Sequence, residues 1–431
     1  MDKIIVKGGA PLHGTVQVSG SKNSALPILA ACLLTDEACV VRRVPNLSDT
    51  RFMGEILRHL GSDVTFEKGT MRIRAKKCAD VAPYDLVRKM RASVCLMGPM
   101  MARLKDIKVS MPGGCVIGPR PIDIHLKGLR ALGANTDIDE GYVRLWSKEL
   151  RGSTMFLGGR FGSTVLGTDN VMMAATLAKG TTVIESAACE PEVVDLANFL
   201  NKMGAKITGA GSPTITIQGV SKLHGAEHTV IPDRIEAGTF AVAGAAAGGE
   251  ITIKGANAGH LGALFDKLEE SGVSIARQRN GDIVVKRERP LKSVDVITMP
   301  YAGFPTDLQA QMMVLMSVTP NISVITEKIF PDRYMHVSEL ARMGADVALE
   351  GSTAIVKGVK QLKGAPVMAS DLRASAALVI AGMIAKGKTE INRVYHIDRG
   401  YEKIDDKLRG LGARIERVSD KMVAAPVEET A

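Results

Sequence analysis

Residues 111–125 read MPGGCVIGPRPIDIH. Pro112, Gly113, Gly114, Gly118, Pro119 and Pro121 break regular structure, so Cys115 is expected in a loop. A cysteine that only fills a core sits among apolar residues at helix or strand spacing, whereas this one is followed by Arg120, Asp123 and His125. Cationic neighbours favour the thiolate, and a thiol on a Gly-Pro loop can deliver a proton when that loop closes. The segment offers a working sulfur in a cationic setting.

Other chemically capable residues are scattered along the chain. Lys22 and Asn23 stand in SGSKNSALPILAACLL, Arg91 in KMRAS, and Arg399 in YHIDRGYEKIDDKL. Arginine binds pairs of oxygens through its fork and suits phosphate and carboxylate groups. Asp307, in FPTDLQAQ, reads in two ways: a general base, or, with Thr306, the cap of the helix that follows. Asn23 is open in the same manner, as a ligand contact or a cap. Arg333, Arg373 and Glu192 are weaker candidates that could equally be members of structural ion pairs. Cys32 and Cys95 sit in apolar helical patterns and read as small core residues, and no C-x-x-C pair or His spacing suggests a metal. No cofactor is called for.

The composition is globular, 45% hydrophobic and 23% charged. The chain of 431 residues is too long for one ordinary core. The longest apolar-and-small run, ASAALVIAGMIA, is short of the roughly 18 residues that span a bilayer. The opening MDKIIVKGG lacks the apolar stretch of a signal peptide. A cytoplasmic protein with no membrane partner is expected. The net charge of +9 fits either nucleic acid or an anionic small substrate. Basic residues are dispersed and aromatics are only 4%, which leaves few stacking surfaces for bases and favours the small substrate.

A short mark recurs six times: LGSDV, LGANT, MGAKI, SGVSI, MGADV and LGARI. Its glycines, Gly61, Gly133, Gly204, Gly272, Gly344 and Gly412, lie 68 to 72 residues apart. An amphipathic helical pattern precedes each, and a glycine there suits the left-handed residue that ends a helix. Alternating stretches such as AKITGAGSPTITIQG follow and read as a hairpin. Earlier in each unit stands an alanine-rich helix, apolar nearly all round, such as GTDNVMMAATLAKG or RASAALVIAGMIAKG. Helices of that kind must be buried on most sides. The expected unit is β-α-β-α-β-β, six times over. The fold class is α/β of the α+β type: two domains, each of three units, with buried helices inside and sheets outside.

This plan, together with PGGCVIGPRPIDIH, APYDLVRKMRAS, PDRIEAGTF, FPTDLQAQ, DRYMHVSELARMGA and DLRASAALV, resembles the enolpyruvyl transferases over essentially the whole chain. The resemblance implies two inside-out lobes, at 22–229 and at 1–21 plus 230–431, with the active site in the cleft between them. It implies transfer of the enolpyruvyl group of phosphoenolpyruvate to the 3-hydroxyl of UDP-N-acetylglucosamine with release of phosphate, the first committed step of peptidoglycan synthesis. Lys22, Asn23, Arg120 and Arg399 are implied to hold phosphoenolpyruvate. Asn23, Arg91, Pro121, Ile122, Asp123, Ile124, His125, Asp307 and Ile329 are implied to hold the sugar nucleotide. Catalysis would rest on Cys115, Asp307, Lys22 and Arg399, with Cys115 the thiol that fosfomycin alkylates. Where the family carries a lysine and an SVGAT-like turn, this chain has GRFGSTVLGTDN, so Arg160 stands near the lysine's place and nucleotide contacts over 160–168 are not assigned. Competing readings are the sister enzyme that makes 5-enolpyruvylshikimate 3-phosphate, an RNA-binding or RNA-end-processing protein, and a catalytically silent regulator. The first lacks a PGGC-type loop; the second predicts phosphate motifs or aromatic platforms that are not seen.

Overall fold

Every one of the six repeating glycines ends a helix in the left-handed region, with φ between 88° and 99°. After the helix Ser48–His59, the Gly61 N–H donates to the Arg58 carbonyl and the Ser62 N–H reaches back to Leu57. The same two bonds recur at Gly133, Gly204, Gly272, Gly344 and Gly412. This is the Schellman arrangement, which satisfies the last carbonyls of a helix and turns the chain sharply. In five repeats it delivers the chain from an outer helix into a hairpin; after Gly412 the strand Arg414–Ser419 pairs instead with Asp2–Lys7.

The computed structural model describes residues 2–88, 90–111 and 122–419. Within these, six four-stranded sheets share one plan. In the third repeat the order across the sheet is Thr154–Phe156, Thr181–Glu185, Thr214–Gln218, Lys206–Thr208. The first pair is parallel, bridged by the helix Val165–Ala175, and the remaining pairs are antiparallel. The amphipathic helix Pro191–Lys202 lies between the second strand and the hairpin. Three sheets are completed from distant parts of the sequence. Glu227–Thr229 pairs in parallel with Ala38–Arg42. Asp2–Lys7 inserts between Lys388–Asn392 and Arg414–Ser419, and Leu12–Gln17 pairs with Gly249–Lys254.

The chain divides into two compact units. One spans Ser19–Asp233 with Pro300–Ala302; the other holds the described residues of Met1–Val18, Arg234–Met299 and Gly303–Ala431. Backbone pairing joins the two ends of the first unit: Ser21 N–H donates to Ile231, and Asp233 N–H to Ser19.

Each unit has its own core around three inner helices. In the first these are Lys22–Ala31, Met97–Leu104 and Val165–Ala175; in the second, Arg234–Ala247, Gln309–Ser317 and Leu372–Ile384. They are buried almost around their whole circumference, as in Leu372–Ile384, where Arg373 to Met383 are all buried. Only packing against one another and under the sheets can hide such surfaces. In the first unit Leu34, Arg103 and Leu177, at or just beyond the ends of the three helices, line one hollow, so their C-terminal ends meet. The Arg103 guanidinium there donates to the carbonyls of Leu33 and Thr35. The second inner helix is preceded by a 3-10 turn, Arg91–Leu96, and carries Pro99 in its first turn, where a missing N–H costs nothing.

Two glycines test how close this packing is. A Cβ on Gly98 would lie 2.3 Å from the backbone oxygen of Asn170, so neighbouring inner helices touch there. A Cβ on the exposed Gly262, in the first turn of an outer helix, would meet nothing within 4 Å. Gly98→Ala is expected to destabilise by about 1–3 kcal/mol, and Gly262→Ala to be neutral or stabilising by up to about 1 kcal/mol. Urea unfolding followed by circular dichroism compares them; equal effects would contradict the close helix approach.

Candidate active site

The first inner helix opens on Ser21, whose hydroxyl accepts from the Ser24 N–H, so the cap is Ser21 and Asn23 lies inside the first turn. The capping alternative for Asn23 is thereby removed. Pro27 cannot donate back to the Asn23 carbonyl, so that oxygen lacks its usual helical partner. The Lys22 N–H donates to Asp233, and its ammonium lies 3.4 Å from Asp49 Oδ2. The Lys22 and Asp49 side chains are only 12% and 3% exposed, which makes a largely desolvated pair rather than a surface one. Behind them Ser24 donates to Asp195, which also holds His228 and the Ile231 N–H. The helix start is therefore fixed from three directions.

Ile122, Asp123, Ile124 and His125 form the N-terminus of the helix Asp123–Ala131, with His125 buried and Asp123 exposed. Asn170 settles how His125 is protonated. Its Oδ1 accepts from the Gly98 N–H at 2.7 Å, and its Nδ2 donates to Val94 and meets His125 Nδ1 at 2.9 Å. With the amide so oriented, Nδ1 must accept and the imidazole proton sits on Nε2. Arg91, half-buried, begins the neighbouring 3-10 turn. Thr164 caps the helix Val165–Ala175, and Arg160 is exposed, its guanidinium over the Phe161 ring. Glu192 is buried close to Asp169 and Glu190. Asp169 is buried with neither oxygen hydrogen-bonded; burial first, then the charges of Glu190 and Glu192, hold its carboxyl well above the usual range. Cys115, Arg120 and Pro121 lie outside the described residues.

In the second unit Asp307 sits in a single turn, Thr306–Leu308, before the inner helix Gln309–Ser317. Neither this turn nor the helix has a side-chain cap, so the capping alternative for Asp307 fails. Its carboxylate lies between two guanidiniums: Arg333 Nη1 donates to Oδ1 at 2.8 Å and Arg373 Nε to Oδ2 at 3.1 Å. Arg333 and Arg373 are 8% and 3% exposed, Asp307 26%. Both arginines, weak candidates from sequence, are thus direct partners of the carboxylate. Burial alone would lower the Arg333 pKa, but Asp307, Asp371 and Glu327 outweigh it and raise it. The Arg373 guanidinium also stacks on the Tyr401 ring, and the Tyr401 hydroxyl joins Thr239 and Gln311, whose amide donates to the Asp307 carbonyl. Arg399 ends the turn Val394–Arg399, and Ile329 is half-buried with its N–H donated to Glu327.

Nearby, His336 is buried with Nε2 unpartnered. Burial lowers its pKa to about 4; Arg333 adds to this and Asp371 opposes it.

Asp49, Asp233, Asn170 and Glu327 were not singled out from sequence. Asp233 stands within the PDRIEAGTF motif, and a lone Glu327 after the apolar strand Ile322–Thr326 was a signal. For Asp49 and Asn170 the partners are tens of residues away and nothing local points to them.

Each unit thus carries fixed charges around its inner helices, Lys22 in one and Asp307 with Arg333 and Arg373 in the other, and the comparisons place this fold among the transferases. The family model of EPSP synthase (3-phosphoshikimate 1-carboxyvinyltransferase) matches residues 6–408, and the chain belongs to that family, the enolpyruvyl transferases. A protein of Methylacidiphilum infernorum named UDP-N-acetylglucosamine 1-carboxyvinyltransferase is 57% identical over 98% of this chain and 100% of its own. One of the same name from Akkermansia muciniphila is 55% identical over 97% of this chain and 99% of its own. Among solved structures, the enolpyruvyl transferase NikO from Streptomyces tendae matches with TM-score 0.87 and 25% identity over 96% of this chain and 98% of that one. EPSP synthase from Acinetobacter baumannii shares the fold, with TM-score 0.74 and 18% identity over 97% of this chain and 100% of that one. No helix among the described residues is long and apolar enough to cross a membrane.

His336 makes the second unit acid-sensitive. The unfolded chain takes up this proton near the ordinary value of 6.5, whereas the folded protein resists until about pH 4. Stability is therefore unaffected by this group above pH 6.5, falls as pH drops from there to about 4, and falls no further below. The full effect is about 3 kcal/mol. Urea unfolding of wild type and His336→Gln across that window measures it; equal pH slopes would contradict the assignment.

Proposed function

We propose that this protein transfers the enolpyruvyl group of phosphoenolpyruvate to the 3-hydroxyl of UDP-N-acetylglucosamine, releasing phosphate, in the first committed step of peptidoglycan synthesis. The observation that carries the reading is 57% identity, end to end, to a protein of that named activity. On this reading the enzyme is cytoplasmic and needs no cofactor.

The chemistry assigns work to each group. The sugar oxygen forms a bond to C2 of phosphoenolpyruvate while C3 gains a proton; C3 then loses one as the C2–O bond to phosphate breaks. Lys22, Arg120 and Arg399 clamp the phosphate and carboxylate, for which arginine forks and a lysine point charge are suited. Asn23, Arg91, the segment Pro121 to His125 and Ile329 hold the sugar nucleotide, and His125 brings an Nε2 donor to that task. Asp307 takes or orients the hydroxyl proton. Its two arginine partners pin each carboxylate oxygen, which favours a fixed direction of acceptance over free rotation. Cys115 supplies the proton to C3.

Phosphate release is the direct test, with UDP-N-acetylglucosamine and shikimate 3-phosphate offered separately as acceptors. Release is expected with the sugar nucleotide alone; release only with shikimate 3-phosphate would overturn the reading. In the same assay Asp307→Asn should lower kcat at least about 10²-fold. It should also lower the unfolding midpoint, because two buried guanidiniums lose their counter-charge. A folded variant with wild-type kcat would remove Asp307 from the chemistry.

Fosfomycin separates Cys115 from the other thiols. Of the six cysteines, Cys32, Cys39 and Cys95 are buried, and burial pushes the Cys78 and Cys189 thiols up. Alkylation is expected at Cys115 alone, faster with UDP-N-acetylglucosamine bound, and absent in Cys115→Asp. Peptide mass spectrometry reads it, and label spread over several cysteines would sink the assignment.

A further inference from the structure

Glu327 follows the strand Ile322–Thr326 and is fully buried, yet four donors converge on it. Its Oε1 accepts from Thr298 Oγ1 at 2.6 Å, from the Ile329 N–H at 2.8 Å and from the Phe330 N–H at 2.9 Å. Its Oε2 accepts from Thr306 Oγ1 at 2.8 Å. A hydroxyl has one proton, so Thr306, having given it to Glu327, can only accept elsewhere. It does so from Arg333 Nη1 at 3.0 Å, and the same nitrogen donates to Asp307 Oδ1 at 2.8 Å.

We infer that Glu327 is a positioning residue of the site: one buried carboxylate fixes the Asp307 carboxylate through Thr306 and Arg333, and shapes the Ile329–Phe330 backbone through its other oxygen. The inference rests on the functional reading above for what Asp307 and Ile329 do, and on the hydrogen bonds for how they are held. A carboxylate is required because all four partners are donors. Glutamine could serve the three donors on Oε1, but its amide nitrogen would face Thr306, force that hydroxyl to accept a second donor and weaken its bond from Arg333. Arg333 would remain, but no longer aimed. The bulk of the core around Glu327 is unaffected by such a change, so the loss falls on geometry rather than on packing.

Glu327→Gln and Thr306→Val, singly and together, are assayed for kcat of phosphate release, with thermal unfolding measured on each. Each single variant should lose about 10- to 100-fold in kcat, the scale of a small misplacement of a reacting group. Because they cut one path, the double variant should lose little more than either alone. A folded Glu327→Gln at wild-type kcat, or a double variant whose loss is the product of the two, overturns the inference. If Glu327→Gln does not fold, Thr306→Val alone decides, since it breaks the same path and leaves the bonds on Oε1. The wild-type assay exposes a failure of the functional reading separately. Should wild type prove inactive on the sugar nucleotide, the crystal structure of Glu327→Gln still decides: Asp307 and Arg333 shifted supports the inference, and both unmoved overturns it.

Discussion

Six helices without a polar side set the terms for this molecule. A helix that is apolar almost all round has to be covered on every side, and here three such helices per unit cover one another beneath their sheets. Buried polar groups such as Asn170 and Gln311 stand within them, and the charged groups gather at their ends. Lys22 starts one inner helix, Thr164 caps another, Arg91 opens the turn into a third. In the second unit Asp307 occupies the turn before an inner helix and Arg373 the first turn of the next. All these ends are N-terminal, where unpaired N–H groups and the helix dipole favour negative charge. A fold that hides apolar helices thereby leaves its cationic and donor groups at helix N-termini.

The partners of those end groups come from elsewhere in the chain, each within its own unit. Asp307 is oriented by residues 26 and 66 positions away, and Gly98 is held by an amide 72 positions away. Desolvated pairs of this kind are expensive to break on one side only. Each fixed charge therefore depends on its neighbour remaining in place, as Lys22 does on Asp49 and Asp307 on Arg333.

That distance also marks what a linear reading can reach. The repeat was legible because its signals are local: a glycine after an amphipathic helix, an alternating hairpin, an apolar helix, six times. Lys22 and Asp307 stood out because their surroundings are distinctive in type and order. That Asp307 is held by two arginines and caps no helix was not legible, since both Arg333 and Arg373 had to be brought to it by the fold. The backbone pairing that joins the ends of the first unit was not legible for the same reason, being made between two segments more than 200 residues apart.

The pairing of Asp2–Lys7 has a consequence for how the chain is made. Its partners are Lys388–Asn392 and Arg414–Ser419, so this strand is matched only after residue 388 has been made. The unit around Ser19–Asp233 is nearly contiguous and has all but three of its residues by position 233. The other waits longer: Leu12–Gln17 has no partner until Gly249–Lys254 is made, and Asp2–Lys7 none until Lys388–Asn392 follows. One sheet of that unit is thus closed by strands made more than 380 residues apart.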